Sequence, residues 1–126
     1  MDKLVFVYNA DSGIVNGLLD YAHKTFSPQT YACNLCALTY GYTGMRAEWR
    51  RFLRNLRAPV EFVHRDELRE RYCVEGVALP TILALRAGIL EVWMSATAIN
   101  ACNTLDELRS LVSARTMDDL RTHQQG

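Results

Sequence analysis

The sequence predicts a single α/β domain with a mixed β-sheet, in the order β-α-β-α-β-α-β-β-α, with helices on both faces of the sheet. Three observations support this fold class. Short apolar runs alternate with stretches of helical periodicity, two later apolar runs are separated by only a short turn, and the chain closes with an amphipathic helix. A chain of 126 residues, 49% of them hydrophobic, is long enough for one core and too short for two.

The chain opens with a predicted strand and helix. Residues 4–8 form a continuous apolar run, which is typical of a strand buried on both faces. Asp11 and Ser12 follow as candidate N-caps. Apolar residues at helical spacing over 14–26 predict the helix that they cap, and the serine-proline pair after it predicts its end.

The middle of the chain continues the alternation. Residues 35–40 are apolar and predict a second strand; 45–56 predict an amphipathic helix, and 60–64 a third strand. Asp66 is the expected cap of a short helix that ends near Tyr72. Arginines cover the polar side of the 45–56 helix: Arg46, Arg50, Arg51, Arg54 and Arg57. That side is interpreted as a solvated face, with an acidic partner or a phosphate backbone as the alternative.

The last third carries the clearest local signals. Residues 81–85 and 89–93 are apolar runs joined by a turn that contains glycine, which predicts a β-hairpin. Thr104 with Glu107 three residues later forms a capping box ahead of a final amphipathic helix. The polar residues after this helix predict a frayed end, so the expected organisation is one domain over 1–115 and a tail over 116–126.

Charge and the N-terminus limit the function classes. Basic and acidic residues both number 14, so no net field attracts the chain to nucleic acid or to a membrane, and neither partner is expected. The first apolar run is too short for a signal peptide or a membrane span, which makes the cytoplasm the expected compartment. Thiols are kept reduced there, so the four cysteines are not expected to form a disulfide framework.

Cys33 and Cys36 form a C-x-x-C motif that runs into the predicted second strand. In a strand, side chains three apart point to opposite faces and cannot bond. If residues 31–35 are instead a turn or a helical end, the two sulfurs can meet. The pair can then be a redox couple or a ligand pair for a soft metal, against the plain alternative of two small buried side chains.

A complete zinc site would need two further ligands, and no metal site is predicted. The candidates for such ligands are Cys73, Cys102, His23 and His64. Of the two lone cysteines, Cys102 is expected to be the more reactive.

Part of the second half of the chain resembles a thioredoxin. Residues 66–82, which read DELRERYCVEGVALPTI, resemble the segment from the third helix of that family into its cis-proline loop. Residues 87–89 resemble the family's hairpin turn, and 104–112 its last helix. The resemblance covers 60–114, while 1–59 match only in the order of elements. It implies a thioredoxin-like fold, and a thiol-containing protein or a small thiol as partner. No cofactor is expected.

The resemblance also implies a cis peptide bond between Leu79 and Pro80, beside the edge where thioredoxins bind thiol substrates. The plain alternative is a trans-proline that opens an edge strand. The family's usual C-x-x-C position falls at 42–45 in this chain, where there is no cysteine. With Cys36 in a strand, the cysteine pair would lie about 13 Å from the usual catalytic edge.

A second candidate site follows from topology, because the carboxyl ends of parallel strands share one edge of a sheet and ligands bind along it. The ends of the first three predicted strands bring several residues to that edge, together with the proline loop before the hairpin. They are Asp11, Ser12, Tyr40, Tyr42, His64, Pro80 and Thr81. The plain alternative is that they act as helix caps and packing residues.

The leading functional hypothesis is a thiol-disulfide oxidoreductase or redox-responsive protein with a displaced C-x-x-C, in which either Cys33 or Cys36 is the nucleophile. Two alternatives stay open. One is a non-catalytic binding module that uses the proline edge, and the other is a carrier of a soft metal or cofactor on the cysteine pair.

Overall fold

A computed structural model describes residues 2–10, 33–41 and 44–125, with side chains up to Asp119 in the last helix. The elements in chain order are β1 (Lys3–Val7), α1 (Asn34–Thr39), β2 (Tyr40–Gly41), β3 (Gly44–Met45), α2 (Ala47–Arg54), β4 (Val60–Val63), α3 (Arg65–Tyr72), β5 (Thr81–Arg86), β6 (Ile89–Met94), α4 (Ala96–Asn100) and α5 (Leu105–Gln125).

The main sheet has four strands in the order β4-β1-β5-β6. Strand β1 runs parallel to β4, with Phe6 opposite Phe62, and antiparallel to β5, with Phe6 opposite Ile82. Strands β5 and β6 form the predicted hairpin. The mixed α/β sheet is therefore confirmed, and β1 is one of its two central strands.

The hairpin turn and the loop before β5 match the sequence-based expectations. Ala87 and Gly88 both have positive φ, at 51° and 81°, as two-residue hairpin turns require for the twist of their strands. The carboxylate of Asp2 accepts a hydrogen bond of 3.1 Å from the Ala87 amide. The Leu79–Pro80 peptide bond is cis, as the resemblance implied.

Helices cover both faces of the sheet. Alternate residues of β1 point to opposite faces, and each set packs against different helices. On one face Leu4 and Phe6 pack with side chains of α1, α2, α4 and α5. On the other face Val5 and Val7 pack with Leu68 of α3. The prediction of helices on both faces is confirmed.

The second predicted strand is wrong, since residues 34–39 form helix α1. Leu35, Cys36 and Thr39 are its buried residues, which is helical spacing, and Thr39 donates its hydroxyl hydrogen to the Leu35 carbonyl oxygen at 2.6 Å. Thr39 is the only β-branched residue in this helix, and leucine and alanine favour helices. In the described residues β1 and β4 are thus the only parallel pair.

Helix α3 begins two residues earlier than predicted. His64, not Asp66, is its N-cap: the His64 amide donates to the Glu67 carboxylate at 2.9 Å, and the imidazole also bonds that carboxylate. The side-chain carboxylate of Glu67 thus completes a capping box. Glu67 also pairs with Arg71 at 3.9 Å.

Helix α5 continues past the predicted boundary after residue 115 and ends at Gln125. Asp119 explains the continuation. Its carboxylate is buried and accepts hydrogen bonds from the indole of Trp93 and the guanidinium of Arg86, 3.0 Å away. These contacts fix the segment to the hairpin. The predicted capping box at the other end is confirmed, with Thr104 and Glu107 bonded reciprocally at 3.1 Å.

The predicted helix over 14–26 lies outside the described residues, as do His23, Asp11, Ser12 and Tyr42. Among the helices that are described, none has the length and apolar character needed to cross a membrane.

Candidate functional site

The C-x-x-C motif lies at the start of helix α1. Cys33 is the N-cap and Cys36 lies in the first turn, with their Cα atoms 5.3 Å apart. This helical end corresponds to the alternative in which the two sulfurs can meet, and they form a disulfide. Both cysteines are buried, with 2% and 1% of their surface exposed.

Two backbone amides point at the sulfur of Cys33. The Cys36 amide donates to it at 3.2 Å and the Asn9 amide at 3.4 Å. Asn9 follows β1 by two residues, so the second bond fixes Cys33 at the carboxyl end of a central strand. The estimate of about 13 Å from that edge assumed an extended chain at 36–40 and does not apply, because residues 34–39 are helical and the Asn9 bond holds Cys33 at the end of β1.

Asn34, between the two cysteines, connects the motif to helix α4. Its side-chain amide donates to the carbonyl oxygens of Ile99 at 2.9 Å and Cys102 at 2.8 Å. Both carbonyls belong to the end of α4 and the residues after it. The motif is therefore held on one side by β1 and on the other by α4. Sequence reasoning missed Asn34, because its two partners lie more than sixty residues away along the chain.

The two lone cysteines differ from the expectation. Cys102 is buried, and its thiol donates to the Ala98 carbonyl oxygen at 3.6 Å. Burial, with a smaller contribution from the charge of Glu107, raises the pKa of the Cys102 thiol, so less of the reactive thiolate is present. Cys73 is exposed. The burial and raised pKa of Cys102 therefore contradict the prediction that it is the more reactive of the two.

Tyr8 brings two of the predicted edge residues together. Its hydroxyl donates to that of Tyr40 at 3.4 Å, and the two rings meet edge to face with centroids 5.7 Å apart. The ring of His64 lies 5.6 Å from the ring of Tyr8. Tyr8 is itself buried and was assigned only to the strand. Tyr8 is the last residue of the first apolar run, and this position is the signal that could have identified it as a residue of the sheet edge.

The same edge uses its polar side chains for structure. The His64 imidazole is bonded to Glu67, and this hydrogen bond lowers the pKa of the Glu67 carboxyl. Thr81 lies opposite Val7 in the sheet and is fully buried, with its hydroxyl donating to the Met94 carbonyl oxygen at 2.8 Å. Pro80 precedes it and is also buried. Thr81 therefore supports the strands, and Tyr40 and His64 remain the half-buried members of this group.

No protein-family model, curated protein or solved structure matches this chain. The chemistry of the site therefore has to follow from its own residues.

The described cysteines and histidine do not form a metal centre. Within residues 2–10, 33–41 and 44–119, whose side chains are described, no three side chains of histidine, cysteine, aspartate or glutamate form a group that could hold a metal ion. Cys33 and Cys36 are bonded to each other, while Cys73 is exposed and Cys102 is buried under α4. What the cysteine pair can do, with the sulfurs in this arrangement, is exchange disulfide for dithiol.

Proposed function

We propose that the chain is a thioredoxin-like thiol-disulfide oxidoreductase whose redox couple is Cys33 and Cys36. The observation that carries the proposal is the disulfide within the C-x-x-C motif, at a helix start and at the carboxyl end of β1. The sheet supports it as well. A parallel pair, β1 and β4, continues into the antiparallel β5 and β6, which suits the family that residues 66–82 resemble.

The reaction is a two-electron exchange. A thiolate of the reduced partner attacks one sulfur of the Cys33–Cys36 bond, that bond breaks, and the other cysteine leaves as a thiolate. A second partner thiolate then attacks the mixed disulfide and releases the partner in its oxidised form. The couple ends as two thiols, which take up two protons. The reverse sequence reduces a partner disulfide, as expected in the cytoplasm, where the proposal places the protein.

Cys33 is the proposed nucleophile of the reduced form. Its sulfur accepts hydrogen bonds from the amides of Cys36 and Asn9, and such bonds stabilise a thiolate more than a neutral thiol. Cys36 would then be the resolving cysteine. It lies one turn into the helix, so the two roles differ by position as well as by hydrogen bonding.

The burial of both sulfurs favours a small thiol as the partner. With 2% and 1% of the two cysteines exposed, a folded protein surface cannot reach the bond without displacing neighbouring elements. A low-molecular-weight thiol such as glutathione needs a much smaller opening. Tyr40, His64 and Pro80 line the same end of the sheet and are the proposed contacts for it.

The same burial favours a second candidate function. A disulfide that no thiol can reach is a structural crosslink, and the protein would then be a non-catalytic binding module at the Tyr40, His64 and Pro80 edge. A fold of this class does not decide between the two functions. The soft-metal alternative has no comparable support, since the two sulfurs are bonded to each other.

Trapping a mixed disulfide separates these functions. All variants carry Cys73→Ser, since the exposed Cys73 thiol would otherwise react. The reduced Cys36→Ser and Cys33→Ser proteins are incubated with oxidised glutathione, and the adduct is located by mass spectrometry after digestion. We expect glutathione on Cys33 in the Cys36→Ser protein, formed at least about tenfold faster than any adduct in the Cys33→Ser protein.

The double variant Cys33→Ser, Cys36→Ser is the control for Cys102 and should stay unmodified. Equal slow rates in both single variants, no faster than this control, would refute the redox couple. Binding of a ligand at the proline edge that survives loss of both cysteines would support the module instead.

A further inference from the structure

A second site lies at the border of the sheet, away from the cysteine pair. A cavity of about 610 Å³ opens between the end of helix α2, the loop after it and strand β4. Apolar side chains form most of its described wall: Met45, Leu53, Leu56, Ala58, Pro59, Val60 and Phe62. Val60 and Phe62 are two apart in β4 and share one face of it. Since β4 ends the sheet in the described order, the cavity lies at the sheet's outer border.

Three arginines stand around this apolar wall. Arg50, Arg54 and Arg57 line the cavity, and all three are exposed. None of them has an ion pair or side-chain hydrogen bond with the described residues, whereas Arg46 on the same segment pairs with Glu48 at 2.6 Å. Residues 46–57 contain five arginines and one acidic residue, although the whole chain has zero formal net charge.

The local chain path explains why the arginines gather here. Arg50 and Arg54 are four residues apart in α2 and so lie on one side of it, and Arg57 follows in the loop after the helix ends at Arg54. Trp49 and Leu53 turn inward and are buried. The loop leaves a gap between the helix end and β4, with an apolar floor and a cationic rim.

We propose that this cavity binds a small amphipathic carboxylate. The apolar body of the ligand would lie against Leu53, Leu56, Val60 and Phe62, and the carboxylate would be held by the arginines of the rim. Arginine suits this role because its planar guanidinium binds a carboxylate through two parallel hydrogen bonds. The volume falls within the range of about 300–1,000 Å³ typical of small-molecule sites, which are mostly apolar with a few placed polar groups.

Charge complementarity selects the anion. No aspartate or glutamate appears among the described lining residues, so a cationic ligand would meet three positive charges and no negative one. A neutral ligand would leave the guanidinium groups without a partner. This site does not depend on the redox chemistry, and its failure would leave the cysteine couple unaffected.

Three ligands with the same alkyl chain test the proposal: decanoate, decyltrimethylammonium and decanol. Each is titrated calorimetrically at concentrations where it stays dissolved as a monomer. We expect saturable one-to-one binding of decanoate, at least about tenfold tighter than binding of the other two. Amide NMR shifts should report the contact at Arg54, Val60 and Phe62. The double variant Arg54→Ala, Arg57→Ala should weaken decanoate binding by about tenfold or more, because hydrogen bonds to charged groups are lost.

Arg51→Ala is the matched control, since Arg51 belongs to the same helix but is not among the cavity residues. It should leave decanoate binding unchanged. Three results would overturn the proposal: no saturable binding of decanoate, equal binding by the double variant and the control, or equal affinity for the carboxylate, the ammonium and the alcohol.

Discussion

The sulfur of Cys33 accepts a hydrogen bond from the backbone amide of Asn9, and this bond connects two residues 24 positions apart in the chain. It joins the start of helix α1 to the end of strand β1. The C-x-x-C motif therefore lies at the carboxyl edge of the sheet, near Tyr8, Tyr40 and His64. That placement is what makes the cysteine pair a candidate redox site.

Asn34 should contribute measurably to the stability of this arrangement. In Asn34→Ala, the carbonyls of Ile99 and Cys102 lose their hydrogen-bond donors, so the free energy of unfolding should fall by about 1–3 kcal/mol. Urea unfolding measures the change. Asn55→Ala, at an exposed position after α2, is the control and should change stability by less than about 0.5 kcal/mol. Equal effects of the two substitutions would contradict the role of Asn34.

Asp119 should fix the end of helix α5 to the hairpin. Asp119→Ala removes the buried acceptor of Trp93 and Arg86 and leaves the Arg86 charge without this partner. The free energy of unfolding should therefore fall by about 3 kcal/mol. Unfolding followed by tryptophan fluorescence measures this. Asp106→Ala removes an exposed pair with Arg109 in the first turn of the same helix, and its effect should stay below about 1 kcal/mol. A loss at Asp119 as small as that of the control would show that the segment after residue 115 adds little stability.

Cys73 ends helix α3 in the left-handed conformation, with φ at 56°. Its amide bonds the Arg69 carbonyl oxygen at 3.1 Å, as expected for a residue that terminates a helix in this way. Glycine adopts this conformation without a steric cost, so Cys73→Gly should stabilise the protein by about 0.5–1 kcal/mol. Cys73→Ala keeps the Cβ atom and should give no gain. A lower melting temperature for the glycine variant would be incompatible with this interpretation.

Glu61 gives stability a defined pH dependence. Burial alone would raise the pKa of Glu61, but hydrogen bonds from Lys3 and Tyr72 outweigh it and the pKa is lowered. The stabilisation is therefore present above the ordinary value of 4.5 and is lost as pH falls through the lower folded-state value. The contribution of Lys3 to stability has the opposite pH dependence. Its hydrogen bond with Glu61 raises the pKa of Lys3, so the stabilisation is present below pH 10.5 and is lost as pH rises through the higher folded-state value.

Glu61→Gln should therefore cost about 1 kcal/mol at pH 7, and the difference from wild type should shrink by about pH 3. Urea unfolding at both pH values measures it. Glu70→Gln, at an exposed position of α3, should show no such change. A cost for Glu61→Gln that is the same at both pH values would exclude the ionic contribution.

The sequence predicted the elements of the fold best where local signals agree. The hairpin, the capping box at Thr104 and the final helix each depend on residues within a few positions of one another, and all three are present. The mixed sheet followed from these elements. Helix α1 was missed because the 35–40 run is short and apolar, and periodicity alone does not separate a buried strand from a buried helix at that length.

The site was predicted less well, because long-range contacts build it. Nothing local in the sequence indicates that Asn9 bonds Cys33, that Asn34 reaches the end of α4, or that Asp119 bonds Trp93. Cys33 and Cys36 were found by their spacing, but their position at the sheet edge depended on the helix that was missed. His64 was placed at the correct edge, with its capping role unrecognised.

The redox couple is tested most directly by a titration of the Cys33–Cys36 bond. The Cys73→Ser protein is equilibrated across a series of dithiol buffers of defined potential, its thiols are trapped, and the bridge is located by mass spectrometry after digestion. We predict a reversible bridge with a midpoint in the range of cellular reductants, about −200 to −270 mV. A bridge that never forms, or one that stays closed below about −300 mV as structural disulfides do, would contradict an oxidoreductase function.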